Sequence, residues 1–155
     1  MNANFYHIRS AMPAAVDAVV PPLLQKCLET GSRRIHVMCA SDEHCQRLSD
    51  WLWSHQADAF LPHVHMAAPE AAATPVLVGT SLPEMSDILL LLNTATPDVI
   101  QDVQQRFPGL QKCMCLFDDQ GTHTAQARQA WKTLQAQSGN LAYYVQEKEG
   151  WQRKA

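Results

Sequence analysis

Residues 87–93, Asp-Ile-Leu-Leu-Leu-Leu-Asn, decide the fold. Five consecutive aliphatic residues lie between Asp87 and Asn93, so both faces of a strand built from them are apolar. Such a strand is typical of the middle of a parallel sheet that helices cover on both sides. The run is also far shorter than the roughly 20 residues that a membrane-spanning helix requires. The stretch therefore predicts the centre of an α/β fold and no membrane span.

Short apolar runs and amphipathic segments alternate on both sides of this strand. The predicted strands are residues 4–8, 34–40, 75–79, 112–117 and 141–146. The predicted helices are residues 14–30, bent or restarted at Pro21-Pro22, 41–53 with Ser41 as cap, 97–107, and 122 or 124 to 136, terminated by Gly139. This alternation predicts an α/β sandwich with a largely parallel sheet. Residues 54–74 break the pattern, and we expect a long irregular connection that carries function.

Composition indicates one ordinary globular domain over residues 1–155. The chain has 155 residues, of which 46% are hydrophobic and 17% charged, enough apolar surface for a packed core. Its first residues lack the basic start and apolar stretch of a signal peptide. We therefore expect a cytoplasmic protein.

The five cysteines and the charge distribution narrow the class of protein. The cysteines are odd in number and lack C-x-x-C spacing, which favours reduced, buried thiols over disulfides or a zinc site. The net charge of −3 argues against a nucleic-acid-binding face. Residues 1–120 carry 7 Lys+Arg and 13 Asp+Glu, whereas residues 121–155 carry 5 and 2. This locally basic end predicts an acidic partner.

The sequence gives little support for an enzyme active site or a metal site. Neither G-x-G-x-x-G nor G-x-x-x-x-G-K-[ST] can be written from the six glycines, which disfavours a nucleotide enzyme. His63 and His65 form a close pair without a nearby third ligand, so ordinary loop histidines are favoured over a metal site. Cys39, with His36 or His63 as base, has the position of a nucleophile, but a side chain in an alternating strand more often belongs to the core.

The helix predicted near the end of the chain carries the most informative residues. Arg128, Trp131 and Lys132 are neighbours at i, i+3 and i+4, so two cations flank a large ring on one helix face. An exposed face with the tryptophan packed inward is the simpler interpretation. A binding site for an acidic group is the alternative.

Several motifs in order along the chain resemble a known family. They are Asn4-Phe5-Tyr6, Leu24-x-Lys26 with Gly31, Leu48-x-x-x-Leu52-Trp53, Phe60-Leu61-Pro62-His63, Pro75-Val76, Asp87-Ile88-Leu89, and Ala127-Arg128-x-x-Trp131-Lys132 with Gly139. Leu-Trp followed by Phe-x-Pro-His, and the Arg-x-x-aromatic-Lys helix, are the specific parts. Together they resemble the chi-subunit family of bacterial DNA polymerase III, an accessory of the clamp loader.

The resemblance implies a non-catalytic adaptor with a three-layer Rossmann-like fold, no cofactor and two protein partners. One partner is the psi subunit, which connects chi to the clamp loader. The other is the acidic C-terminal tail of single-stranded-DNA-binding protein, which ends in a Phe carboxylate. The resemblance implies that the adaptor contacts DNA only indirectly. The residues implied for the tail are Arg128, Trp131, Lys132, Phe117, Thr124, Leu141 and Gly139. An Arg fork, a Lys charge and an aromatic ring suit a carboxylate-terminated aromatic peptide.

The chain departs from the family pattern in the helix that carries these residues. Thr124 stands where relatives often have Lys, Trp131 where Tyr is also seen, and Leu134 where an aromatic residue is common. The compensating basic residues would be Lys148, Arg153 or Lys154.

The resemblance places the psi contact at Trp53, Phe60, Leu61, Pro62 and His63. A large aromatic residue in a proline-bearing stretch suits an exposed interface anchor. For Phe60 the alternative is a loop side chain tucked over the sheet edge.

Two other functions remain open from the sequence. One is a small α/β enzyme or nucleotide-binding domain. The other is direct binding of single-stranded DNA, because Trp131 with flanking cations also describes a base-stacking platform. The negative net charge and the lack of a second clustered aromatic residue count against the latter.

Overall fold

The run of aliphatic residues forms β5 (Ile88–Leu92), the fourth strand across an eight-stranded sheet. The computed structural model describes residues 2–12, 14–31, 34–54, 62–137 and 139–155. Its elements are β1 (Ala3–His7), α1 (Ala14–Glu29), β2 (Ile35–Met38), α2 (Asp42–Ser54), β3 (His63–His65), a 3-10 helix (Ala71–Ala73), β4 (Val76–Gly79), β5, α3 (Pro97–Arg106), β6 (Lys112–Phe117), α4 (Gly121–Gln135), β7 (Leu141–Glu147) and β8 (Gly150–Arg153).

The strand order across the sheet is β3-β4-β2-β5-β6-β1-β7-β8. Every neighbouring pair is parallel except β7 with β8, which is antiparallel. The predicted α/β class with a largely parallel sheet is confirmed, and β5 holds the predicted central position.

Alternate residues of β5 serve two separate parts of the core. Leu90 belongs to a cluster with buried residues of α1 and α2, whereas Leu89 belongs to a cluster with buried residues of α3 and α4. Both leucines are completely buried. Because successive side chains of a strand point to opposite faces, α1 and α2 cover one face of the sheet and α3 and α4 cover the other.

Two strands were not predicted. Residues 63–65, expected in an irregular connection, form β3, in which His63 pairs with Val76 of β4. Residues 150–153 form β8, which returns along β7 after a two-residue turn with Gly150 at a φ of 119°. Neither stretch has the apolar run or the alternation that marked the other strands, which is why the sequence pattern did not reveal either one.

Helix ends agree with the predicted caps, with two differences. The Ser41 hydroxyl accepts a hydrogen bond from the His44 backbone N–H at 3.1 Å, as expected for the start of α2. A restart of α1 at Pro21-Pro22 is wrong, since one helix runs through both prolines. α4 begins at Gly121 with Gln120 as its N-cap, so the predicted start at Thr122 or Thr124 is wrong, whereas its end at Gln135 is within one residue of the predicted end.

Buried thiols were predicted correctly. All five cysteines are buried and free of disulfides. Of the two tryptophans near the end of α2, Trp51 packs against the core and Trp53 is 54% exposed. Among the described residues, no helix combines the length and apolar character that a membrane crossing needs.

Candidate functional site

A buried carboxylate fixes the start of α4. Asp118, directly after β6, is completely buried. Its Oδ1 accepts a hydrogen bond from the Gln120 backbone N–H at 3.1 Å and lies 2.8 Å from His123 Nδ1. Its Oδ2 accepts one from the Asn93 side-chain amide at 3.2 Å, while the Thr124 hydroxyl donates to the Asp118 carbonyl oxygen at 3.0 Å. These contacts tie the first turn of α4 to the end of β5, which holds the rest of the helix in place.

The α4 surface brings together the three residues singled out in the sequence. Arg128 and Lys132 are exposed, whereas Trp131 is half-buried. The Trp131 ring meets Phe5 of β1 and Tyr143 of β7 edge to face, with both centroid distances 5.3 Å. Such pairs hold a ring in one orientation. Trp131 thus packs inward at one edge while two cations remain at the surface beside it.

Tyr143 joins this site, although the sequence pattern did not single it out. Its ring is parallel to Phe5, with centroids 6.4 Å apart, and it contacts Trp131. Burial raises the pKa of the Tyr143 hydroxyl, while a hydrogen bond from the Arg128 guanidinium lowers it in part. The Tyr143 hydroxyl and the Arg128 guanidinium therefore lie close enough to interact. The period-2 pattern of β7, which places Leu141 and Tyr143 on one face, is the signal that could have revealed it.

The other residues implied for the tail lie around this cluster in different environments. Phe117 is 1% exposed, stacks on His7 at 4.8 Å and meets Tyr143 edge to face at 6.0 Å, so it lies beneath the surface. Leu141 is half-buried and packs against the same core cluster as Trp131. Thr124 is half-buried one turn before Arg128, and Gly139 is exposed between α4 and β7.

The residues implied for psi lie in a second region. The exposed Trp53 ring packs against His63 with centroids 4.5 Å apart. His63 is 2% exposed, and its Nε2 lies 3.3 Å from the Ser49 hydroxyl. Pro62 is half-buried next to them. The predicted Phe60 and Leu61 lie outside the described residues.

The two regions are far apart. Trp53 and His63 lie at α2 and the edge strand β3. The other region, called the Arg128 cluster, consists of Arg128, Trp131, Lys132 and Tyr143 and lies at α4 and β7, six strand intervals away. Neighbouring strands are about 4.8 Å apart, so this separation is roughly 29 Å. The regions also belong to opposite faces of the sheet, since α2 and α4 cover different faces.

A family model described as DNA polymerase III chi subunit, HolC, matches residues 1–142. The chain belongs to this chi-subunit family. It is also similar to DNA polymerase III subunit chi of Pseudomonas aeruginosa, with 34% identity over 90 residues. That match covers 58% of this chain and 61% of the relative, so less than two thirds of the relative's length is matched.

A solved structure with a similar fold is the C-terminal domain of S. cerevisiae Dbp5, in a complex with Gle1 and IP6. Its TM-score is 0.58, with coverage of 92% of this chain and 90% of that one. At 12% identity the likeness concerns the fold alone.

The three basic residues expected to compensate for Thr124 are Lys148, Arg153 and Lys154. The first lies exposed in the turn between β7 and β8. Lys154 lies beside Tyr143, whose carbonyl oxygen accepts its backbone N–H at 2.7 Å, and its Nζ is 3.9 Å from Glu147. Arg153 pairs with Tyr144 and so points to the opposite face. Of the three, Lys154, which directly follows β8, is the one that lies beside Tyr143.

The geometry of this chi-family chain disfavours a cysteine nucleophile. Cys39 is 1% exposed, and burial raises the pKa of its thiol far above the ordinary value, so no reactive thiolate is available. Burial lowers the pKa of His36 to about 4, and its Nε2–H donates to the Ser81 carbonyl oxygen at 2.8 Å. Within the described ranges, no three His, Cys, Asp or Glu side chains come together as a metal site.

Proposed function

We propose that this chain is a non-catalytic replisome adaptor that links the clamp loader, through the psi subunit, to the acidic C-terminal tail of single-stranded-DNA-binding protein. Membership of the chi-subunit family supports an accessory role in replication. The observation that carries the tail assignment is an exposed Arg128 guanidinium beside an aromatic cluster of Trp131 and Tyr143. The adaptor contacts DNA only indirectly, through single-stranded-DNA-binding protein.

The cluster provides a partner for each part of such a tail. The Arg128 fork binds the terminal carboxylate, and Lys132 attracts the acidic residues that precede it. The Trp131 and Tyr143 rings and Leu141 form the apolar contact for the terminal Phe. Phe117 supports this contact from the core, while Thr124 and Gly139 border it.

The psi contact is proposed at the opposite edge of the sheet. Trp53, at 54% exposure, is the aromatic anchor among the described residues, with Pro62 and His63 beside it and Phe60-Leu61 completing the segment. The roughly 29 Å between the two regions, from the strand spacing, allows both partners to bind at once.

The scaffold for both contacts is proposed to be one Rossmann-like three-layer domain spanning residues 1–155. All eight described strands belong to one sheet, and helices pack on both of its faces, which supports this description. An accessory role beside a bacterial DNA polymerase would be carried out in the cytoplasm.

Calorimetric titration with a peptide that has an acidic stretch and a C-terminal Phe tests the tail site. A hydrogen bond to a charged group contributes about 1.5–3 kcal/mol, so Arg128→Ala should weaken binding by roughly 10- to 150-fold. Arg34→Ala is the matched control, because Arg34 is an exposed arginine at the other half of the sheet. It should bind the peptide like the wild type.

Three outcomes would contradict the proposal. The first is unchanged affinity in folded Arg128→Ala. The second is binding that does not weaken between low and high sodium chloride, since screening over a Debye length of about 8 Å at physiological salt should reduce the attraction to Lys132. The third is stronger binding of a single-stranded oligonucleotide of equal charge than of the peptide.

A further inference from the structure

A groove on the face opposite to the Arg128 cluster lies outside both regions described above. Its volume is about 810 Å³, within the range of roughly 300–1,000 Å³ found for ligand sites. One wall is α1, and the floor and other wall come from β5, β6, β1, β7 and β8. The lining residues are Asn4, Tyr6, Ala18, Val19, Pro22, Leu23, Lys26, Cys27, Thr30, Ile88, Gln111, Lys112, Met114, Tyr144, Gln146 and Trp151.

Aromatic rings build the outer wall of the groove. Tyr6 and Tyr144 stack with centroids 5.3 Å apart, and Trp151 meets Tyr6 edge to face at 5.3 Å. Trp151 is 36% exposed, and Tyr144 is half-buried. Both lie beyond the residues that match the family model, which end at 142, so two of the three rings of this wall come from a part of the chain outside that match.

The charge of the groove is opposite to that of the whole chain. Its described lining includes Lys26 and Lys112 but no Asp or Glu, although the chain has a net charge of −3. Neither lysine forms an ion pair with any described residue, including the nearby Glu29 and Asp87. Both ammonium groups therefore remain available to carboxylates of a partner.

The two lysines lie at one end of the groove. Lys112 is the first residue of β6, and Lys26 is in the last turn of α1. Trp151 lies opposite Gln146, near the end of β7, and so at the other end of the parallel strands. Apolar side chains such as Leu23 and Met114 contribute to the lining.

We propose that this groove binds an acidic, amphipathic peptide segment of a partner protein. Apolar or aromatic side chains of the segment fill the space between α1 and Trp151, and its carboxylates lie at Lys26 and Lys112. Single-stranded DNA fits less well, because a polynucleotide needs cations along the whole path of its backbone. The site does not depend on the tail site, since the two face opposite sides of the sheet.

Selection from a phage library of random 12-residue peptides tests this proposal. The bait is the full chain with Arg128→Glu, which disables the tail site. Phage that also bind the chain with Arg128→Glu, Lys26→Glu and Lys112→Glu are removed. The matched control carries Arg128→Glu, Lys132→Glu and Lys148→Glu, which makes the same charge change at exposed lysines outside the groove.

We expect recovered peptides to combine Asp or Glu with Leu, Phe or Trp. A synthetic peptide of this kind should lose at least tenfold in affinity when Lys26 and Lys112 are reversed, and less than twofold on the control. Trp151→Ala should also weaken binding, and Trp151→Phe should restore most of it, which separates a direct contact from loss of β8.

Other outcomes would overturn the proposal. Recovery of no peptide that requires the two lysines would do so, as would recovery of uncharged or basic peptides. Binding of the oligonucleotide (dT)12 to the Arg128→Glu chain, lost on reversal of Lys26 and Lys112, would assign the groove to nucleic acid instead.

Discussion

Replacing Tyr143 by Phe tests whether the tail site depends on a preoriented arginine. The substitution removes only the hydroxyl that interacts with the Arg128 guanidinium. The ring keeps its stacking on Phe5 at 6.4 Å and its edge contact with Trp131 at 5.3 Å. Any change in peptide binding then comes from the guanidinium and not from the aromatic cluster.

The expected size of the effect follows from the entropy of the arginine side chain. Immobilising a side chain with many rotamers on binding costs about 0.5–1.5 kcal/mol. If Tyr143 already restrains Arg128 in the free protein, Tyr143→Phe returns this cost to the binding step and weakens binding by about 2- to 13-fold. The free energy of unfolding should fall by no more than about 1 kcal/mol, the typical contribution of one hydrogen bond.

Calorimetric titration with the Phe-terminated acidic peptide measures the affinity, and urea denaturation measures the stability. Tyr144→Phe is the matched control, because Tyr144 is the next residue of the same strand and faces the opposite side of the sheet. It should leave peptide affinity unchanged. In an Arg128→Lys background, Tyr143→Phe should have a smaller effect, since an ammonium group does not need the same orientation.

Three results would refute the reasoning. Unchanged affinity in Tyr143→Phe would show that Arg128 needs no orientation by the hydroxyl. An equal loss in Tyr144→Phe would indicate a general effect on the sheet. An undiminished loss in the Arg128→Lys background would mean that the Tyr143 hydroxyl contacts the peptide itself and does not act through Arg128.

Two further predictions concern the rest of the molecule. Phe60→Ala should weaken the binding of psi by about 2 kcal/mol or more, as measured by sedimentation, and should leave the affinity for the tail peptide intact. A large drop in Tm would instead identify Phe60 as a core residue. His36→Gln should flatten the acid dependence of stability. Burial lowers the pKa of His36 to about 4 in the folded protein, so the unfolded chain binds the proton at a higher pH than the folded one. The histidine therefore costs no stability above pH 6.5, and it lowers the free energy of unfolding by up to about 3 kcal/mol as the pH decreases to 4. Urea denaturation at pH 7 and pH 4.5 measures the free energy of unfolding, and an equal loss between these pH values in wild type and His36→Gln would contradict the prediction.

The architecture was largely predictable because the core pattern is unambiguous. The run at residues 88–92 indicated a strand with two covered faces, and it lies at the centre of the sheet. Ser41 and Pro97 marked the starts of α2 and α3 as expected. The strands that were not predicted, β3 and β8, are short edge elements, and pairing with a neighbour defines them more than their own sequence does.

The candidate site was predictable only in the part that lies on one helix. Arg128, Trp131 and Lys132 are close in sequence, so helical spacing alone brings them together. Tyr143 approaches them only because β7 pairs with β1, a long-range contact that helix periodicity does not contain. Asp118 gave no distinctive pattern either, since its importance depends on burial and on donors from two separate segments.

The strand order has a mechanical consequence. If two partners pull on the chain from the edge strand β3 and from β7, the tension runs across the sheet, along the hydrogen bonds between neighbouring strands. Load in this direction opens one strand pair after another, starting at the short β3, which pairs with β4 through only three residues. The edge at β3 would therefore yield first under force, while the paired strands around β5 would still hold the other partner.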